Sequence, residues 1–164
     1  MVEMTDFRNG MSLLSGAVNV ITTAGVTGQF GFTASAVCSV TDNPPTLLVC
    51  MNRSSSSHAH FKQNGVLAVN VLGAEHQDIS QAFASKLSMQ ERFEHGNWQT
   101  LSTGSPILQD ALVSFDCRIE QMTDIGTHTI FYCQVADIQM TQNEQQHGLI
   151  YFNRKYHFVG KLSA

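Results

Sequence analysis

Positive charge is scarce in this sequence of 164 residues. Nine Lys and Arg stand against thirteen Asp and Glu, a formal charge of −4, and no basic run occurs. That leaves no electrostatic footprint for nucleic acid or for an anionic lipid surface. Long apolar runs are missing too, none approaching the roughly 18 residues of a membrane span. Glu3, Asp6 and Arg8 come ahead of any apolar stretch, so no leader is expected and a cytoplasmic protein is. The four cysteines, Cys38, Cys50, Cys117 and Cys133, form no Cys-x-x-Cys pair and lie in strand-like apolar patterns. They are read as small buried hydrophobes in a reducing compartment rather than as a zinc or redox motif.

Catalytic signatures are equally sparse. Gly25, Gly28 and Gly31 are spaced Gly-x-x-Gly-x-x-Gly with no crossover helix after them, which is not the dinucleotide fingerprint of a Rossmann unit. No Gly-x-Ser-x-Gly elbow or Ser/His/Asp arrangement occurs. His58 and His60 fall in a segment of helical pattern, where residues two apart diverge, so no metal centre is expected. Repeats and low-complexity tracts are absent apart from the run Ser54 to Ser57. At this length the chain can bury roughly 70% of the surface its unfolded form exposes. One domain over 1–164 is the simplest expectation.

What is present is organised around residues 31–65. From Phe32 to Val40 every even position is apolar, while the odd positions from Thr33 to Thr41 carry four hydroxyls and Val37. This period of two predicts a strand with one dry face and one hydroxyl-bearing face. Asp42-Asn43-Pro44-Pro45 must turn the chain, because proline lacks a donor and restricts its predecessor. Leu47 to Met51 then reads as a strand covered on both faces. Asn52-Arg53-Ser54-Ser55-Ser56-Ser57 leads into a helix over 58–64 with Gly65 as its stop. Hydroxyls, free amides and Arg53 gathered at that helix start suit one phosphate group.

The remaining pattern is mainly β. A short helix capped by Thr5 or Asp6 carries Phe7, Met11 and Leu14 on one face and ends by Gly16; a strand over 17–23 and a turn over 25–31 follow. Val66 to Leu72 is a buried strand interrupted by Asn70, which either bonds a neighbouring loop or contacts a ligand. A helix is expected over 75–87, with Ile79, Ala82, Phe83 and Leu87 inward, and a shorter one over 88–96 carrying Arg92. Residues 97–109, with Trp98, Gly104 and Pro106, read as an irregular excursion. Ala111 to Glu120 alternates cleanly, with its odd positions inward. Gly126-Thr127-His128 opens a long strand, Thr129 to Met140, and Gly148–Phe152 and Tyr156–Val159 pair across Asn153-Arg154-Lys155. Seven or so strands with two or three short helices at hairpin spacing predict a closed antiparallel barrel with peripheral helices. A hydroxyl-rich strand, one phosphate pocket and a late His128 fit a flat amphipathic ligand with a single phosphate, of which flavin mononucleotide (FMN) is one.

The motif series Phe32-Thr33-Ala34-Ser35-Ala36-Val37-Cys38-Ser39-Val40-Thr41, Pro44-Pro45, Cys50-Met51-Asn52, Val69-Asn70-Val71-Leu72, Arg92-Phe93, Gly126-Thr127-His128 and Gly148-Leu149-Ile150-Tyr151-Phe152 resembles the short-chain flavin reductases over nearly the whole chain. The resemblance implies an FMN-binding split barrel, an antiparallel barrel of Greek-key type, in a homodimer. It implies reduction of FMN, with FAD the other possible flavin, by NADH, and transfer of reduced flavin to a separate flavin-dependent monooxygenase. The branch serving pyrimidine utilisation is nearest in pattern, and the reductase components of 4-hydroxyphenylacetate 3-monooxygenases are close to it. A non-catalytic FMN carrier on the same barrel is the alternative from another class.

Position by position, the resemblance puts Thr33, Ala34 and Ser35 at the isoalloxazine edge, Cys50, Met51 and Asn52 along the ring and ribityl chain, and Ser54 and Ser56 at the phosphate. Asn70, Phe83 and Arg92 are further flavin candidates. His128 falls at the nicotinamide, with Leu149, Ile150, Tyr151 and Phe152 lining the same cleft. Thr127 stands where many relatives carry an acidic residue or serine.

Overall fold

The computed structural model describes residues 1–142 and 147–160. Helix α1, Met4–Ser12, starts before both predicted caps: its N-cap is Glu3, which makes no side-chain bond, and Asp6 lies in the first turn, where a carboxylate meets the positive helix end. After β1, Gly16–Ala17, the strands β2, Asn19–Gly25, and β3, Gly28–Ala34, form a hairpin with a two-residue loop. The turn expected over 25–31 is therefore much shorter. Gly31 lies within β3 because a Cβ there would stand 2.6 Å from the Phe83 ring, so its glycine serves close packing and not a bend.

The strand expected from Phe32 to Thr41 is two strands. β3 ends at Ala34 and β4 runs Val37–Asp42, with Ser35 and Ala36 between them. They occupy opposite edges of a seven-stranded antiparallel sheet ordered β3-β2-β6-β9-β10-β5-β4, in which β5 is Pro45–Asn52, β6 Val66–Val71, β9 Val113–Ile125 and β10 His128–Met140. Six inter-strand spacings would separate the edges of a flat sheet by about 29 Å. Two linking residues reach only about 11 Å. The sheet must therefore curl into a barrel with a seam between β3 and β4. Ile21 of β2 and Met51 of β5 meet inside it, with Phe61, Leu67 and Phe131. Full burial of each such side chain stabilises the fold by about 1.5–3 kcal/mol.

Several expectations shift by local physics. In β5, Leu47, Val49 and Met51 are buried but Leu48 and Cys50 only half so; one face is covered, not both. Helix α2, His58–Asn64, stops as expected at Gly65, which takes φ +69° and bonds the Phe61 carbonyl. The helix expected over 75–87 is a 3-10 turn, Ala74–His76, followed by α3, Gln77–Ala84, and Leu87 is exposed. Arg92 of α4, Met89–Phe93, bonds the carbonyls of Phe83, Ser85 and Leu87, holding the chain out of helical pairing beyond Ala84.

The excursion at 97–109 contains a small hairpin of β7, Trp98–Thr100, and β8, Pro106–Leu108, the latter wholly buried. In β9, Ser114 and Asp116 are consequently buried rather than outward, Ser114 bonding Asn70 and Asp116 the Thr103 amide. β11, Gly148–Phe152, and β12, Lys155–Val159, pair across Asn153 and Arg154, both at positive φ, and β1 joins β11. Twelve strands and four α-helices lie among the described residues. The excess over the sequence count comes from short strands and the split at the seam. A second core gathers Val20, Leu72, Ile79, Phe83, Leu108 and Leu149 beneath α3.

Candidate functional site

At the seam, where β3 leaves the sheet, Thr33, Ala34 and Ser35 meet Ser80 of α3 with Tyr151 and Tyr156 of the β11–β12 hairpin around a cleft of about 240 Å³. It contains no charged side chain. Its hydroxyls are ordered: Thr33 Oγ1 donates to the Ser80 carbonyl at 2.6 Å, and Ser80 Oγ and the Tyr156 hydroxyl lie 2.8 Å apart. The two tyrosine rings meet edge to face with centroids 5.5 Å apart, so the cleft has a rigid aromatic wall.

A cavity of about 660 Å³ lies where β5 ends and β10 begins. Antiparallel register sets His128 directly opposite Asn52. Around them stand Arg8 of α1, Arg53 and Ser54 after β5, His58 and Lys62 on one face of α2, and Asp124. Asp124 accepts a 2.5 Å hydrogen bond from the buried Thr129 hydroxyl and lies 3.8 Å from Arg53; that hydroxyl first, and Arg53, Lys62 and His58 further, hold its carboxyl below the usual range. Burial, then Lys62, pushes the His58 imidazole down, which favours its neutral form. Thr127 Oγ1 is 2.9 Å from His128 Nδ1, so the hydroxyl in this position orients the ring.

Cleft and cavity are linked by the main chain. The Cys50 amide donates to the Ala36 carbonyl, and β5 carries the path on through Met51 to Asn52. In the serine loop the amides of Arg53, Ser54, Ser55, Ser57 and His58 are taken up internally by Thr127, Asn52 and Ser55. Fewer are free than the sequence led one to expect. Among the described residues of this loop the Ser56 amide has no intramolecular acceptor, and its exposed hydroxyl is likewise open.

The model of a flavin reductase-like domain matches residues 11–160. The chain belongs to the flavin reductase-like family. Among its relatives, a protein of Serratia proteamaculans (strain 568) named FMN reductase (NADH) RutF is 57% identical over 160 residues, covering 98% of this chain and 90% of the relative. Its namesake in Acinetobacter baylyi is 57% identical over 155 residues, covering 94% and 81%. A crystal structure of a protein from Haemophilus somnus 129PT, assigned by its solvers to the flavin reductases, superimposes with a TM-score of 0.93 at 52% identity, covering 96% of this chain and all of that one. The flavin reductase PheA2 gives 0.86 at 30% identity over 98% and 100%.

In this flavin reductase-like chain the residues singled out by sequence divide into several places. Thr33, Ala34, Ser35 and Tyr151 share the cleft; Asn52, Ser54 and His128 share the cavity. His128 and Tyr151 thus line different openings of the single chain, not one cleft as expected, because β10 pairs with β5 while β11 pairs with β1 and β12. Ile150 is half-buried and Phe152 partly exposed on β11. Met51, Phe83 and Leu149 bury their side chains in the two cores. Asn70 is fully buried and Arg92 is occupied by main-chain carbonyls, Gly31 among them.

Sequence reasoning missed Arg8, His58, Lys62, Asp124, Ser80 and Tyr156. The four-residue spacing of His58 and Lys62 on α2 was a readable signal for a shared face. Nothing local marked the others, which tertiary pairing brings in.

Proposed function

We propose that this protein is an NADH-dependent FMN reductase, with FAD the lesser flavin. The observation that carries the reading is the pairing of an uncharged, hydroxyl-lined cleft with a cationic cavity, joined through the Cys50–Ala36 main-chain hydrogen bond and the end of β5, in a chain whose relatives bear that name. A flavin needs a flat polar-edged slot for its ring and donors for its phosphate. Thr33, Ala34 and Ser35 supply the edge, and two residues of β5, about 7 Å of strand, lead from Cys50 to Asn52. Cys50, the Met51 main chain and Asn52 follow the ribityl chain. Ser54 and the open amide and hydroxyl of Ser56 serve the phosphate.

Bound together, flavin and nicotinamide supply the hydride chemistry, and the chain contributes position and electrostatics. With the Thr127 hydroxyl donating to Nδ1, the His128 proton sits on Nε2, where it donates to the nicotinamide carboxamide. Tyr151 of β11 walls the cleft that takes the flavin ring.

Reduced flavin then passes to a separate flavin-dependent monooxygenase, in pyrimidine degradation in the cytoplasm. A homodimer is part of this reading. Met4, Phe7, Met11 and Leu14 are all exposed, and α1 buries no residue in its own chain. An apolar helical stripe without a core calls for a partner, and a second copy fits.

Purified protein mixed with NADH and FMN is expected to consume the absorbance of reduced nicotinamide only when flavin is added. No flavin-dependent loss overturns the reading; tight FMN binding without turnover replaces it by the carrier. In the same assay His128→Ala raises KM for NADH more than the dissociation constant of FMN.

A further inference from the structure

Three of the nine Lys and Arg of a chain with net charge −4 line the one cavity beside His128. Its one carboxylate, Asp124, is already engaged by the Thr129 hydroxyl and by Arg53. Arg53 also donates to the Gly126 carbonyl, so this pair is locally neutral. Arg8 and Lys62 remain. Both are exposed, and neither makes an ion pair among the described residues. Two cations on separate helices, neither in an ion pair although Lys62 acts on Asp124 at longer range, face one concavity against the overall sign of the molecule and are arranged for an anion whose charge is spread over two groups.

We propose that Arg8 and Lys62 form an anion subsite that holds the diphosphate bridge of NADH, distinct from the subsite for the FMN phosphate. It rests on the NADH:FMN reductase reading, because His128 at the rim fixes the nicotinamide end. A diphosphate diester carries one negative charge on each phosphate, matching one cation apiece. Of the two serines assigned to the FMN phosphate, Ser54 lines the cavity and Ser56 does not, and both belong to the loop before α2 and not to the helices that carry Arg8 and Lys62. A volume of about 660 Å³ is also far more than a single phosphate fills. Arg8 comes from α1, whose last turn is tied to the β11–β12 turn by the Asn153 amide donating to the Ser12 carbonyl and by Arg154 donating to Asn9 Oδ1. The N-terminal helix is thus held as a wall of the nicotinamide side.

The test uses the full chain with Arg8→Gln, Lys62→Gln and the double variant, all surface changes. KM is measured for NADH, for reduced nicotinamide mononucleotide, which lacks the diphosphate, and for FMN; NADH binding is titrated separately by fluorescence. Each single variant is expected to raise KM and Kd for NADH roughly tenfold, the value of one charge-assisted hydrogen bond. The double variant loses the wild-type preference for NADH over the reduced mononucleotide. An unchanged NADH titration overturns the subsite, as does a rise confined to FMN, which would place the flavin phosphate in the cavity. Should wild type show no FMN-dependent turnover, the reductase reading falls, while the titration still decides whether Arg8 and Lys62 bind NADH.

Discussion

The Asn70 side chain, wholly buried in β6, donates to the Val20 carbonyl and Thr22 Oγ1 and accepts from the Leu108 amide and the Ser114 hydroxyl. Of the two roles open to it from sequence, the hydrogen bond to a neighbouring segment is the one its geometry fills: it ties β2, β6, β8 and β9 together. Asn70→Leu strands two buried donors and is expected to cost roughly 2–6 kcal/mol, a fall in the midpoint of thermal unfolding of about 2–4 °C per kcal/mol. Calorimetry checks the loss, and flavin affinity of the folded fraction stays as in wild type. The cysteines make a second case. Burial pushes the Cys133 thiol up to about 12 and Cys117 higher still, whereas Cys38 is exposed and Cys50 is half-buried with its thiol raised, by burial first. The thiolate is the nucleophile. At mildly alkaline pH, alkylation followed by peptide mass spectrometry is expected to find Cys38 labelled first, Cys50 slowly, and Cys117 and Cys133 only in denaturant.

Elements were legible where local chemistry settles them. The Gly65 stop of α2 and the entry to the β11–β12 turn at Asn153 are decided by residues that tolerate positive φ, whereas Arg154 takes φ +61° without such a preference. β3 was not. A period of two continues unbroken from Phe32 to Thr41, since Ser35 and Ala36 keep the alternation while the chain changes sheet edge, and three glycines hid the hairpin strand in an apparent loop. Gly31→Ala would drive a methyl group into the Phe83 ring and close on the Ile21 carbonyl, 3.2 Å away. A loss of about 1–3 kcal/mol is expected in urea unfolding. Phe83→Leu should cost less in the Gly31→Ala background than in wild type, since it clears the clash; additive losses would argue against this contact.

On the scale of the molecule, the exposed stripe of α1 and the half-covered outer face of β5 are surfaces a single chain leaves unfinished. Light scattering is expected to give twice the 18.0 kDa chain mass, and the double change Phe7→Glu, Leu14→Glu to shift it toward the monomer. A monomeric wild type would dismiss the dimer. The cavity beside His128 has the same long-range origin: Arg8, Lys62 and Asp124 are far apart in sequence and meet only because β5 pairs with β10 and the α1 end is tied to the β11–β12 turn.

The sequence alone determined the β class, the Gly65 stop and the β11–β12 turn, because alternation, proline and glycine act over a few residues, while Thr33–Ser35, Asn52–Ser56 and His128 entered as candidates through the family resemblance. Tertiary structure alone decided that Thr33–Ser35 and His128 line different openings, that Asn70 is consumed by main-chain and side-chain partners of neighbouring strands and Arg92 by main-chain carbonyls, and that two cations with no ion pair among the described residues gather in one cavity. The reason is physical: hydrogen-bond and charge partners are chosen by strand pairing and barrel closure, and neither leaves a mark on neighbouring residues.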